Sequence, residues 1–160
     1  MKFAKTIHLD VSDAKAFPHT ARTGEWAVAG TFAFTEAEPR LFSNKERLAF
    51  RNGWLGLESF GRATFVEVAL IPEQQFEDVV RRLGAHLREA YCAPDMLAAV
   101  EAARHEVKDM AGLCDHPAGT LLSIERQFTD EGIDEIVRVI PPQGDGAHAR
   151  IWEVVEDKDT

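Results

Sequence analysis

Only two cysteines, one tyrosine and three methionines occur among the 160 residues, and nowhere do basic or apolar residues run on for long. Cys92 and Cys114 stand outside any C-x-x-C pair, which excludes a disulfide-built scaffold, gives little support to a redox role and fits a reducing compartment. Met1 to Asp10 reads MKFAKTIHLD, without the hydrophobic core of a secretory signal. The longest uncharged, mostly apolar stretch, Trp26 to Phe34, is about half of what a membrane-spanning helix needs. Basic side chains are in deficit, 18 Lys and Arg against 27 Asp and Glu, so the net charge of −9 disfavours phosphate backbones and anionic membrane surfaces. These absences predict a cytoplasmic protein with neither nucleic acid nor membrane as partner.

What is present is ordinary for a globular chain, 45% hydrophobic and 28% charged, so disordered and fibrous classes are excluded. One domain of this size buries roughly 70% of its unfolded surface, enough for a core without disulfide or metal. The expectation is a single α+β domain over residues 1–155, with 156–160 as an acidic tail.

Phe3 to Leu9 alternates, with Phe3, Ile7 and Leu9 against Ala4, Thr6 and His8, as in a half-buried strand. Trp26 to Phe34 alternates in size. Its large Trp26, Val28, Phe32 and Phe34 oppose small Ala27, Ala29, Thr31 and Ala33, which predicts a central strand with one face smooth enough for a helix. Ser43 and Glu46 form a capping box for a short helix from Asn44 to Asn52 that stops at Gly53. Ala63 to Ile71 predicts a strand with Thr64, Val66, Val68 and Leu70 inward. Phe76, Val79, Val80, Leu83 and Leu87 then make the apolar stripe of a helix closing near Tyr91.

A third helix opens with Asp95 as N-cap, carries the seam Met96, Val100, Ala103, Val107, Met110 and Cys114, and ends before Pro117. Leu121 to Phe128 and Ile133 to Ile140 flank Asp130-Glu131-Gly132 as a hairpin. Burial favours a register that sets Glu125 opposite Arg138 and puts Leu122, Ile124 and Phe128 on one face with Val137 and Val139. Ala149 to Val155 is the last strand. The sum is a mainly antiparallel sheet of about six strands with about three helices packed on one face.

For a metal, His105, Cys114 and His116 are the first candidates. Helical rotation puts His105 and Cys114 on opposite faces, and His116 lies roughly 16 Å further along, so one ion cannot reach all three. Glu101, His105 and Asp109 form a column opposite the apolar seam, as a solvated face does. No metal is predicted. The same helix holds Cys92 and Cys114 roughly 30 Å apart, which predicts two free thiols. The six histidines are scattered singly, and no serine, histidine and carboxylate fall into a nucleophilic arrangement, so no catalytic residue and no cofactor are assigned.

Two places carry a candidate site. Asn52 to Arg62 combines three glycines with Trp54, Phe60, Glu58 and Arg62, which suits a ligand-lining loop and equally a helix cap, a core edge and a Glu58–Arg62 pair. It is neither a P-loop nor a nucleophile elbow. Arg126 falls between Ile124 and Phe128 on the buried face, where an unpartnered guanidinium costs several kcal/mol. Glu135 is its diagonal neighbour and counter-ion; the pair is either structural or an anion-binding arginine in a cleft between sheet and helices.

The opening FAKTIHLD, the strand GEWAVAGTFAF, the block NGWLGLESFGRATFVEV and the late CDHPAGTLLSIERQFTDEG together resemble an uncharacterised family of small acidic alphaproteobacterial proteins, a domain of unknown function. The resemblance covers most of the chain and implies a whole-domain unit with an accessory role, an oxidoreductase being one candidate partner. Three readings follow: a non-catalytic accessory or assembly protein that binds another protein or itself; a binder of small anionic ligands using Trp54, Glu58, Arg62, Arg126 and Glu135; and an enzyme with a pocket at the same place.

Overall fold

The computed structural model describes residues 1–10, 15–91, 93–142 and 155–158, the last four by their backbone pairing. Cys92, His148, the tail residues 159–160 and most of the strand expected over 149–155 lie outside the described residues. Eight strands form one sheet: β1 (Lys2–Ile7), β2 (Trp26–Val28), β3 (Trp54–Gly56), β4 (Arg62–Ala63), β5 (Phe65–Leu70), β6 (Leu121–Thr129), β7 (Gly132–Ile140) and β8 (Val155–Lys158). Their order is β4-β3-β2-β1-β5-β6-β7-β8, and every neighbouring pair is antiparallel. The α+β class and the antiparallel sheet are as expected, with eight strands in place of about six. Glu156, Asp157 and Lys158, read as tail, pair with β7.

The sheet curls, and covalent geometry says why. β4 and β5 are separated by Thr64 alone, yet β4 is an edge and β5 lies four positions away. One residue spans only ~3.5 Å, so the two must adjoin. The Trp54 indole gives the same answer: its Nε1 donates to the Leu122 carbonyl of β6 at 3.2 Å, although a flat sheet would hold β3 and β6 roughly 19 Å apart. The pairing puts Ala4, Ala27, Gly56 and Ala63 on the same face as Trp54. The smooth face expected to receive a helix therefore gives room to this indole, which is fully buried.

Three helices complete the fold, α1 (Asn44–Asn52), α2 (Glu73–Ala90) and α3 (Met96–Leu113). α1 has both halves of its capping box, Ser43 Oγ accepting from the Glu46 amide and Glu46 accepting from the Ser43 amide. Asp95 caps α3 by accepting from the Ala98 amide. α2 and α3 pack together, with Gly84 so close to Val100 that a Cβ there would fall 3.1 Å from its Cγ2. α2 meets the sheet through Phe76, edge-on to Phe3. α1 meets it through Phe50, stacked on Phe128 at 4.1 Å, on the face that the register makes opposite to Phe3. The short helix thus lies across the sheet from α2.

Several local expectations are corrected. β2 ends at Val28 rather than Phe34, because Gly30 turns left-handed (φ 72°) and the chain enters a 3-10 turn, Thr31–Phe34. The predicted strand over Ala63–Ile71 is split at Thr64 between two places in the sheet. β1 is covered on both sides, Phe3 and Ala4 both being fully buried, whereas Leu70, expected inward, and Met96, expected in the seam of α3, are exposed. The β6–β7 register is two residues from the expected one: Arg126 faces Glu135 and Glu125 faces Ile136. A shift of two leaves every side chain on its expected face. Glu125 still reaches Arg138 diagonally at 2.8 Å.

Candidate functional site

Arg62 of β4 and Arg126 of β6 meet at the Phe34 ring, their guanidinium carbons 4.6 and 5.4 Å from its centroid. Both are buried. Arg62 donates to the carbonyls of Gly30 at 3.1 Å, Gly53 at 3.2 Å and Ala29 at 3.3 Å. Arg126 donates to Thr31 Oγ1 at 2.8 Å, the Phe50 carbonyl at 2.7 Å, the Ala49 carbonyl at 3.5 Å and the Ala29 carbonyl. A helix leaves its last carbonyls without intrahelical donors. Here two guanidiniums donate to carbonyls at the end of α1, Phe50 and Gly53 among them, and also to the Ala29 and Gly30 carbonyls just past β2.

Glu135 closes the cluster, 3.6 Å from Arg126 Nε and hydrogen-bonded by the Thr31 hydroxyl. Glu106 of α3 accepts from the Gly30 amide at 3.3 Å. Burial pushes the Arg62 guanidinium down to about 9, with Arg126 adding to it, and burial takes Arg126 down to about 10 against the pull of Glu135. Both remain cations near neutrality. Burial raises the Glu106 carboxyl above its ordinary range, and Glu135 and Asp109 reinforce this. A small cleft of about 110 Å³ lies beside this cluster, lined by Thr31, Glu106, Asp109 and Glu135 among others. A larger one of about 550 Å³ runs along the β6–β7 hairpin past Glu125, Arg126, Asp134 and Glu135.

The fold thus brings together three of the residues singled out in the sequence, Arg62, Arg126 and Glu135. It keeps two apart. Trp54 fills the curl of the sheet, and Glu58 is half exposed, 3.9 Å from Arg22. The Glu58–Arg62 pair considered above is replaced by Arg62 on backbone carbonyls.

A second buried charge escaped sequence reading. Glu25, 1% exposed, accepts from the amides of Arg22, Glu58 and Ser59 and from the Ser59 hydroxyl, at 2.7 to 3.0 Å. Burial pushes its carboxyl up, but the combined hydrogen bonds from Ser59, Arg22 and Glu58 outweigh this and hold it below the ordinary value. The only local sign was a carboxylate directly ahead of the apolar run at Trp26.

Chemically, the arginine cluster acts as a brace: its donors go to backbone carbonyls and the Thr31 hydroxyl, with Glu135 as ion-pair partner. Cys114 is buried, with its thiol pushed up to about 12 by burial, so the thiolate is scarce. Among the described residues, no group of three or more His, Cys, Asp and Glu side chains could hold a metal ion. No helix there is long and apolar enough to cross a membrane.

A family model described as "Family of unknown function (DUF6505)" matches residues 1–154. The chain belongs to that family. No curated protein and no solved structure matches it. The DUF6505 match spans both β4 and β6, and hence both arginines of the brace.

Proposed function

We propose that this protein is a non-catalytic accessory or assembly factor that acts in the cytoplasm through protein contacts. The observation that carries the reading is a contrast between interior and surface. Among the described residues every buried side-chain nitrogen and oxygen has a partner. Meanwhile Leu41, Leu70 and Leu97 are 72%, 68% and 75% exposed, with Leu48, Met96, Tyr91 and Phe128 partly so. Exposed apolar side chains are what a contact protein can offer a partner, and a saturated interior leaves little for chemistry. An oxidoreductase is the partner class that the sequence resemblance suggests.

A second reading has the hairpin cleft in its favour: a small anionic ligand held by Arg126. Glu125, Asp134 and Glu135 also line the cleft and oppose an anion, which makes it the weaker fit.

Crosslinking in the native cells followed by purification of the tagged protein tests the first reading. A defined complex, lost when surface leucines are replaced by aspartate in a protein that stays folded, is the expected result. Recovery of the protein free of any complex, together with a thermal shift by a small organic anion that Arg126→Met abolishes, would overturn it in favour of the second.

A further inference from the structure

We propose that α1 and the tip of the β6–β7 hairpin form a single self-complementary face whose occupant is a second copy of this chain. The inference rests on the reading of the protein as one that works by protein contact, and names its partner. Helix and hairpin adjoin through Phe50 stacked on Phe128, with Phe42 6.4 Å from Phe128. Each element carries exposed apolar side chains, Leu48 on α1 with Leu41 just ahead of it and Phe128 on the hairpin, which are 43%, 72% and 36% exposed.

Its charge is divided by element. Residues 39–51 carry Arg40, Lys45, Arg47 and Arg51 against Glu46 alone, a local excess of +3 in a chain whose total is −9, so that the rest carries −12. Arg40 pairs with Glu38, and Glu46 is committed to the capping box. Lys45 and Arg47 are exposed and have no ionic partner among the described residues. The hairpin tip is the opposite case, with exposed Asp130 and Glu131 likewise unpaired. On α1, Leu48 shares the outward face with Arg47 and Arg51, away from buried Ala49 and Phe50.

A uniformly acidic partner would meet repulsion at the hairpin, and a uniformly basic one at the helix. A two-fold related copy meets neither. Its hairpin tip lies on this helix and its helix on this hairpin tip, with leucines and Phe128 at the centre.

Light scattering and sedimentation on the full chain test this. The expected mass approaches twice the 17.8 kDa of one chain as concentration rises, and falls again with added salt. Arg47→Glu and Glu131→Arg each weaken association by roughly tenfold or more, since each sets like charges opposite one another twice. Mixed in equal amounts, the two variants associate again, because both cross-contacts then join opposite charges. Leu48→Asp, on an exposed site and with unchanged thermal stability, stays monomeric. A dimer indifferent to all three substitutions, or two charge variants that fail to rescue each other, would overturn the pairing. A wild-type chain that stays monomeric but is recovered in a complex with another protein overturns this inference and leaves the contact function standing. A monomer with no complex defeats both.

Discussion

Replacing Arg126 by methionine takes donors from Thr31, Ala49, Phe50 and Ala29 together and leaves Glu135 facing an apolar chain. Breaking a buried pair from one side costs ~3–5 kcal/mol. Urea unfolding should show a loss of that size for Arg126→Met, and a smaller one when Glu135 is replaced by methionine as well. A loss near zero would mean that the guanidinium is not a brace. Glu25 and Glu106 are carboxylates shifted in opposite directions. The Glu25 carboxyl sits below its ordinary value when folded, so its contribution is complete above that value and drains away as the pH falls through the depressed one. The Glu106 carboxyl sits above its own, so what it contributes is complete in acid and is lost as the pH rises. Glu25→Gln should therefore cost about 2 kcal/mol near neutrality and less at an acidic pH. Denaturant titrations at the two pH values check this. Arg126 could be flagged from sequence because a cation in an apolar strand pattern contradicts its neighbours. Glu25 could not, since its four donors come from residues 22, 58 and 59, most of them remote along the chain.

Among the elements, α1 was readable to the residue. Its cap and its last turn follow from contacts within a few positions, although the carbonyls at its end also take donors from Arg62 and Arg126. β2 was not, because Trp26 to Phe34 has a strand's pattern and is nonetheless broken by Gly30. At φ 72° that residue tolerates no side chain easily, and a Cβ there would fall 2.5 Å from the Leu55 Cβ. Gly30→Ala should destabilise the fold by about 3 kcal/mol, read as a lowered thermal midpoint. Gly112, with open space around it, serves as the control at which alanine is tolerated. The hairpin register failed for a related reason. Faces follow from alternation, but Glu125 with Arg138 and Arg126 with Glu135 are plausible partners in either of two registers. The turn at Asp130-Glu131, closed by the Thr129–Gly132 pair, makes the choice.

For the molecule as a whole, the curl joins elements that are far apart in sequence. β1 pairs with both β2 and β5, and Phe3, Ala4, Val66 and Val68 are all essentially inaccessible. Their amides should exchange with solvent only on global unfolding, at the free energy that urea measures, while those of the 3-10 turn at Pro39–Leu41 exchange by local opening. Native-state hydrogen exchange checks both. Composition and periodicity sufficed for the fold class, the three helices, the hairpin and the faces of its strands, because each follows from contacts a few residues apart or from the need to bury one side of an element. Curvature, the end of β2, the burial of Glu25 and the meeting of Arg62 with Arg126 belong to the tertiary structure alone. They depend on which side chain fills the inside of the sheet and which carbonyls lie within reach of a guanidinium, distances that no local pattern encodes.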